Sequence, residues 1–241
     1  MSAASAGDLA PQYDAIAADY DADNDNPFNA LYERPASLAL LPPLAGKRVL
    51  DAGCGGGLHA AEMVARGATV VGVDSSAALL ELARRRCPEH AEFRIADLGE
   101  PLSFADDASF DIVLCALTLH YLQDWVPALR EFHRVLRPDG AVVISTHHPA
   151  CDVELSPTGN YFETTLLLDR WTKNGRTFDV EFWRRPLSQM FAAMHEAGFR
   201  VEQLVEPAPL PEVEERFPDQ WELLATKPRF LFFRLRPASA P

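Results

Sequence analysis

Residues 49–57 read Val-Leu-Asp-Ala-Gly-Cys-Gly-Gly-Gly, an apolar strand that closes on an acid, Asp51, and runs into glycines at 53, 55 and 57. Without Cβ atoms at these positions the backbone can turn tightly and come close to a ligand. A dinucleotide-binding turn repeats as G-x-G-x-x-G or A, its third small residue packing helix against strand around a pyrophosphate. Here that third position is Leu58, and Asp51 stands where a diphosphate would meet like charge. The pattern disfavours an anionic cofactor. It suits a cation with an amino-acid tail, whose ammonium can pair with acids at the strand end and whose carboxylate can use free backbone N–H groups of the turn.

Histidines supply a second kind of chemistry. In open α/β sheets the ligand lies at the carboxyl ends of the strands. His120 follows the fourth predicted strand and His147 and His148 follow the fifth, whereas His59, His133 and His195 fall in predicted helices and His90 in a loop. An imidazole with a pKa of about 6.5 can accept a proton at neutral pH, so His147 or His148 is the preferred general base and His120 the next. Each could equally shape the pocket or hydrogen-bond a neighbour. His147, His148 and Cys151 also suggest zinc. Adjacent histidines on a strand end point to opposite faces, however, and no second metal-type pair completes four ligands, so no metal is expected.

The elements that must position these groups read clearly. Short apolar strands at Arg48–Ala52, Thr69–Val73, Glu92–Ala96, Phe110–Leu114 and Ala141–Thr146 alternate with helical stretches, the pattern of a parallel sheet covered on both faces. One helix starts at the Ser75-Ser76 caps and ends before Pro88. Another runs from about Asp124 to Leu136 with Val126, Leu129, Phe132, His133 and Leu136 along one face, and Pro138-Asp139-Gly140 reads as the turn into the fifth strand. Residues 147–186 interrupt the alternation. Within them Leu166-Leu167-Leu168 and the alternating Phe178, Val180 and Phe182 flank Asn174-Gly175, the signature of a β-hairpin. A helix at Leu187–Ala197 closed by Gly198, a strand at Arg200–Val205, a proline-rich acidic loop at 206–219 and a strand at Phe230–Leu235 follow.

These residues resemble the class I S-adenosylmethionine-dependent methyltransferases, in particular the small-molecule branch of the methyltransferase type 11 kind. Val49–Gly57 is similar to the family's first motif. Asp74, in Val-Gly-Val-Asp-Ser and 23 residues after Asp51, resembles the acid that holds the ribose hydroxyls, and Asp97, in Ile-Ala-Asp-Leu, the acid beside the adenine. The runs Phe110–His120 and Leu136–Ile144 match two further motifs, all five in the family's order. The resemblance implies a Rossmann-like three-layer α/β sandwich with a seven-stranded mixed sheet and, after strand five, a hairpin-containing cap. It further implies cofactor contacts at Tyr13, Tyr20, Asp51, Ala52, Gly53, Gly55, Gly57, Asp74, Ser75, Asp97, Leu98, Ala116 and Leu117. The tyrosines belong to an N-terminal helix leaning over the methionine part, where their rings could favour a sulfonium or simply pack in the core. The division expected is 1–40 as tail and lid helices, 41–146 with 187–241 as the cofactor-binding domain, and 147–186 as a substrate cap.

Composition bounds the rest. A chain of 241 residues suits one α/β domain with an embellishment. No apolar run nears the roughly 18 to 20 residues that span a bilayer, no signal peptide is visible, and Met1–Gly7 reads as a flexible tail, so a cytoplasmic protein without a membrane partner is expected. Cys54, Cys87, Cys115 and Cys151 show no disulfide or C-x-x-C spacing. A net charge of −13 speaks against nucleic acid, and Arg84-Arg85-Arg86 reads as the solvated end of a helix. The function expected is methyl transfer from S-adenosylmethionine, giving S-adenosylhomocysteine, to oxygen or nitrogen of a small-molecule acceptor by a monomer or homodimer. A tRNA or protein methyltransferase, a nicotinamide-dependent oxidoreductase and an inactive cofactor-binding module are the rivals. Cap acids such as Glu163, Asp169, Asp179 and Glu181 could receive an amine, and Arg170, Arg176, Arg184 and Arg185 a carboxylate, so charge does not choose the acceptor.

Overall fold

The structure, a computed structural model, describes residues 10–173 and 175–238. Helices α1 (Ala10–Ala22) and α2 (Arg34–Leu40), linked through a π-helical turn (Asn29–Glu33), precede the alternation of β1 (Arg48–Ala52), α3 (Leu58–Ala65), β2 (Thr69–Asp74), α4 (Ala77–Arg86), β3 (Ala91–Ile95), β4 (Phe110–Ala116), α5 (Val126–Val135) and β5 (Leu136–His147). Then come the short α6 (Pro149–Asp152), a hairpin of β6 (Thr165–Lys173) and β7 (Arg176–Arg184), α7 (Leu187–Glu196), β8 (Phe199–Val205), α8 (Glu212–Arg216), α9 (Pro218–Thr226) and β9 (Phe230–Pro237). Seven strands form one sheet in the order β3-β2-β1-β4-β5-β9-β8. The first five positions are parallel and β9 is antiparallel to both neighbours. This is the Rossmann-like sandwich and mixed sheet that the sequence implies, with the hairpin standing apart after the fifth strand. Gly175 takes φ +76° at the hairpin turn; Asn174 and the tail Met1–Gly7 lie outside the described residues.

Neighbouring residues of a strand face opposite ways, so each central strand feeds two cores. Leu50, Val71, Val113 and Val142 pack under α5 and α7 with Leu129, Phe132, Met190 and Met194. Val49, Val70, Ile112 and Val143 pack under the other helix layer with Leu38, Met63, Leu80 and Leu224. Burying each such side chain stabilises the fold by about 1.5–3 kcal/mol. Ser76 caps α4 as the sequence indicates, its Oγ accepting from the Leu79 N–H at 3.2 Å.

Three expectations are corrected. Pro138-Asp139-Gly140 is no turn: the segment bulges within β5, where the register jumps from Phe110 opposite Leu136 to Ile112 opposite Ala141. The loop expected over 206–219 holds α8 and the start of α9, which bury Val213 and Leu224. Arg85 stays in solvent, whereas Arg86 folds back onto Asp21 at 2.7 Å. Among the described residues no helix is long and apolar enough to cross a membrane, no cluster of three or more metal-ligating side chains forms, and all four cysteines are free and buried.

Candidate active site

Strand order reverses between β1 and β4, and the surface at the strands' carboxyl ends opens there into a cleft. The glycine turn forms one wall. Gly53, Gly55 and Gly57 take φ of +79°, +52° and +79°. A Cβ at Gly53 would meet Thr118 Oγ1 at 2.1 Å and one at Gly57 would meet Ala83 Cβ at 2.9 Å, so these two glycines serve close packing. At Gly55 nothing lies within 4 Å, and the missing side chain leaves space over the cleft. Asp74 ties the turn to β2: Oδ2 accepts from the Gly55 N–H and Oδ1 from the Ser76 N–H, both at 2.9 Å. Burial raises its pKa. The N–H groups expected to be free for a carboxylate are spent internally, Gly53 and Cys54 on Val73 O, Gly55 on Asp74 and Gly57 on Cys54 O.

Of the residues expected to hold a cofactor, Tyr13, Tyr20, Gly53, Gly55, Asp74, Ser75, Leu98, Ala116 and Leu117 line the cleft. Asp51, Ala52, Gly57 and Asp97 do not. Gly57 packs against α4, and Asp97 closes its own loop by accepting from the Gly99 N–H at 2.8 Å. Leu117 is held at φ +48° because its N–H bonds both Ser145 O and Ser145 Oγ at 3.0 Å. A non-glycine residue kept in this region at a cleft is strain that its surroundings over-determine.

The acids behind the turn are the strongest electrostatic feature. Asp51 is 1% exposed, and its Oδ2 has no hydrogen-bond partner among the described residues. Burial pushes its pKa up to about 7, with Asp74 and Glu33 adding to the rise against the pull of His59. Glu33, equally buried, accepts from Ser37 Oγ and Ser145 Oγ at 2.6 Å, and its Oε2 lies 3.1 Å from His59 Nε2. Burial alone would raise the Glu33 carboxyl and depress the His59 ring; their pairing outweighs it in both, lowering the first and raising the second. Arg34, beside Glu33, lines the cleft with its Nε buried and unpartnered among the described residues. A buried carboxylate oxygen without a donor is costly until a cation reaches it. The set therefore fits a ligand carrying an ammonium and a carboxylate, and does not fit a pyrophosphate. Glu33 and Arg34 escaped the sequence reading, which set His59 aside as a residue of a predicted helix. The π-helical turn that carries Glu33 is of a kind frequent at functional sites, but nothing in the local sequence marks it.

Helix α1 lies across the cleft. Asp14 Oδ1 accepts from Ser76 Oγ and from the Ala78 N–H at 3.0 Å, capping α4 from outside; these bonds, the Ser76 one foremost, hold its carboxyl below the usual range. At the other side Asp19 pairs with Arg176 of β7 at 2.7 Å, Gln12 donates to Asp179 O, and the Tyr13 and Tyr121 hydroxyls share a hydrogen bond. Burial pushes Tyr20 up to about 12, so it stays a neutral ring over the cleft.

A second cavity of about 650 Å³ adjoins the first and shares Tyr20, Asn29, Leu117 and Tyr121 with it. Its volume falls in the range of small-molecule sites. His120 and His147 line it, stacked with ring centroids 4.2 Å apart at 21°. His120 is 2% exposed with neither ring nitrogen partnered among the described residues; burial first, then His147 and Arg185, holds its pKa well below the ordinary value. His147 Nδ1 stands 3.5 Å from Asp152 Oδ2. His148 turns to the other face, as adjacent strand residues must: Nε2 lies 2.7 Å from Glu206, and its ring accepts from the Ala150 N–H. The structure thus brings His120 and His147 together and leaves His148 out. Trp171 and Phe230 give the cavity flat walls, and Asp23, Asp152, Asp169, Arg170 and Arg229 supply its charged lining.

Comparison with known proteins places this geometry among relatives. A family model described as a methyltransferase domain matches residues 50–144. An uncharacterized protein of Haemophilus influenzae is 28% identical over 239 residues, covering 87% of this chain and 88% of its own. The ubiquinone biosynthesis O-methyltransferase of Pseudomonas syringae pv. tomato is 32% identical over 171 residues, covering 67% of this chain and 68% of that one. The crystal structure of an S-adenosylmethionine-dependent methyltransferase from Mesorhizobium loti superposes with a TM-score of 0.69 at 26% identity, over 88% of this chain and 99% of that one.

Proposed function

The chain belongs to the class I S-adenosylmethionine-dependent methyltransferases, and we propose that it moves a methyl group onto oxygen or nitrogen of a small molecule held in the second cavity. The observation that carries this is the pairing of an acidic cleft at the sheet's switch point with an aromatic, histidine-lined cavity, the two sharing Tyr20, Asn29, Leu117 and Tyr121. S-adenosylmethionine is the cofactor; when bound it supplies an electrophilic methyl group on a sulfonium, whose carbon–sulfur electron pair returns to sulfur on transfer. Asp51 is assigned to the ammonium of its amino-acid tail, Arg34 to the carboxylate, Asp74 to the ribose hydroxyls, and the Leu98 loop with Asp97 to the adenine.

The chain's own contribution is mainly positioning, which in near-attack geometry supplies about 7–11 kcal/mol. Where the acceptor carries a proton, His147 takes it at Nε2, with Asp152 stabilising the imidazolium; a general base of this kind adds roughly 10²- to 10⁴-fold. His120, neutral because it is buried, orients the acceptor. His148 is engaged with Glu206 and has no part. Residues 147–186 act as a substrate cap, the helices within the N-terminal tail and lid segment 1–40 as the lid, and 41–146 with 187–241 as the cofactor-binding domain, a division that the bonds from α1 to both α4 and β7 support. Oxygen is favoured over nitrogen by the O-methyltransferase relative. The acidity of the chain weighs against tRNA as acceptor.

Calorimetric titration with S-adenosylmethionine, S-adenosylhomocysteine and NADH tests the assignment. Binding of the first two alone, weakened in Asp74→Ala, is expected. Preference for NADH, or no binding, would refute it.

A further inference from the structure

We propose that the second cavity takes a small planar hydroxy acid, its carboxylate on Arg229 and its hydroxyl on the stacked pair His120 and His147; this rests on the methyltransferase reading above and names the acceptor class for the same site. The arginines that the cap sequence offers to a carboxylate are all engaged. Arg170 pairs with Asp179 at 2.9 Å and Arg176 with Asp19 at 2.7 Å. Arg184 donates to the carbonyls of Pro149 and Glu163, and Arg185 donates to Leu122 O while lying over the Trp125 ring.

Arg229 differs. It is half-buried and lines the cavity, and it meets no carboxylate within ion-pair distance among the described residues. Its Nη1 donates to the thiol sulfur of Cys151 at 2.9 Å, a weak acceptor, and its Nε is buried without a partner; Arg184 Nη2 and Arg185 Nε are likewise unmet among the described residues, but neither of those arginines lines the cavity. A guanidinium drawn from water with an unmet N–H is built for an anion, and its planar fork matches a carboxylate.

His120 presents the complementary half. A neutral imidazole offers one donor and one acceptor, and both ring nitrogens are unmet inside the cavity wall. A hydroxyl at the edge of the stacked rings can accept from a His120 N–H and donate to His147, whereas an ammonium, which only donates, leaves the His120 N–H unmet. The acids that line the cavity are already engaged, Asp152 beside His147 and Asp169 accepting from Trp171 Nε1 at 2.8 Å, and Asp23 is not free either. Register brings the two recognition groups together. His147 lies opposite Phe230 in the pairing of β5 with β9, and Arg229 precedes Phe230 in the chain, so both groups stand at the same end of that strand pair and line one cavity.

The test is calorimetry on protein saturated with S-adenosylhomocysteine, titrated with 3,4-dihydroxybenzoate, its methyl ester and dopamine. The acid is expected to bind about tenfold or more tightly than the ester, from the loss of a charge-assisted pair. In Arg229→Gln that preference should vanish while S-adenosylhomocysteine affinity is retained, and Arg229→Lys should keep part of it. Equal binding of acid and ester, preference for the amine, survival of the preference in Arg229→Gln, or no binding of any probe at millimolar concentration would overturn the proposal. The comparison of acid with ester is made on the wild-type chain and holds even if a variant fails to fold. Failure of S-adenosylhomocysteine itself to bind would instead bring down the cofactor reading.

Discussion

Replacing Asp51 by asparagine should stabilise the free protein and cripple cofactor binding, two effects of opposite sign from one oxygen. The carboxyl rises from 3.8 to about 7 because it is buried beside Asp74 and Glu33 with one oxygen unpartnered. A raised folded pKa means that the native state holds the proton more tightly than the unfolded chain. The carboxyl's contribution is therefore fully present below pH 3.8 and is lost progressively as pH rises to 7. A rise of about 3 units at 1.36 kcal/mol each makes the loss about 4 kcal/mol above pH 7, about 2 at pH 5.5 and under 1 at pH 4. Asparagine cannot ionise and escapes it. Thermal unfolding of Asp51→Asn at pH 8 should run about 8 °C above wild type, the gap closing towards pH 4. Calorimetry at pH 8 should show S-adenosylmethionine affinity down by about tenfold or more, because the ammonium loses its counter-charge. A variant no more stable than wild type at pH 8, a gain that does not depend on pH, or unchanged cofactor affinity would rule out a buried, uncompensated Asp51 carboxylate that meets the cofactor's ammonium.

Other perturbations separate packing from binding. Gly53→Ala forces a Cβ to within 2.1 Å of Thr118 Oγ1 at φ +79° and should cost about 3 kcal/mol in urea unfolding, whereas Gly55→Ala, with open space around it, should cost only about 1–2 kcal/mol yet obstruct the cofactor. Glu33→Gln should destabilise by about 3 kcal/mol and lower the His59 pKa, which an NMR titration reads. Its effect should be largest between pH 4.5 and 6.5, since the depressed Glu33 contributes above the first value and the raised His59 below the second. Asp14→Ala removes the external cap on α4 and should cost about 1 kcal/mol, with faster cofactor release in stopped-flow measurements as α1 loosens.

What the sequence disclosed and what it hid divide along one physical line. The sheet strands, the glycine turn and Asp74 are fixed by residues within a few positions of one another, and alternation and glycine spacing report such local constraints directly. Pro138-Asp139-Gly140 was misleading because a bulge and a turn call for the same residues; only the pairing of β4 with β5 tells them apart. The charge pairs that give the site its character are non-local. Glu33 and His59 sit on separate helical segments, each like a surface residue in its own stretch, and become a buried pair only when β5 brings Ser145 against them. Arg229 is further removed still, beside the strand that returns antiparallel next to β5. The sequence of the cap shows charges of both signs and leaves the acceptor undecided. The acceptor class proposed above rests on subtraction: a charge already met by a neighbour cannot select a ligand, and among the unmet groups those that line the second cavity are at His120 and Arg229.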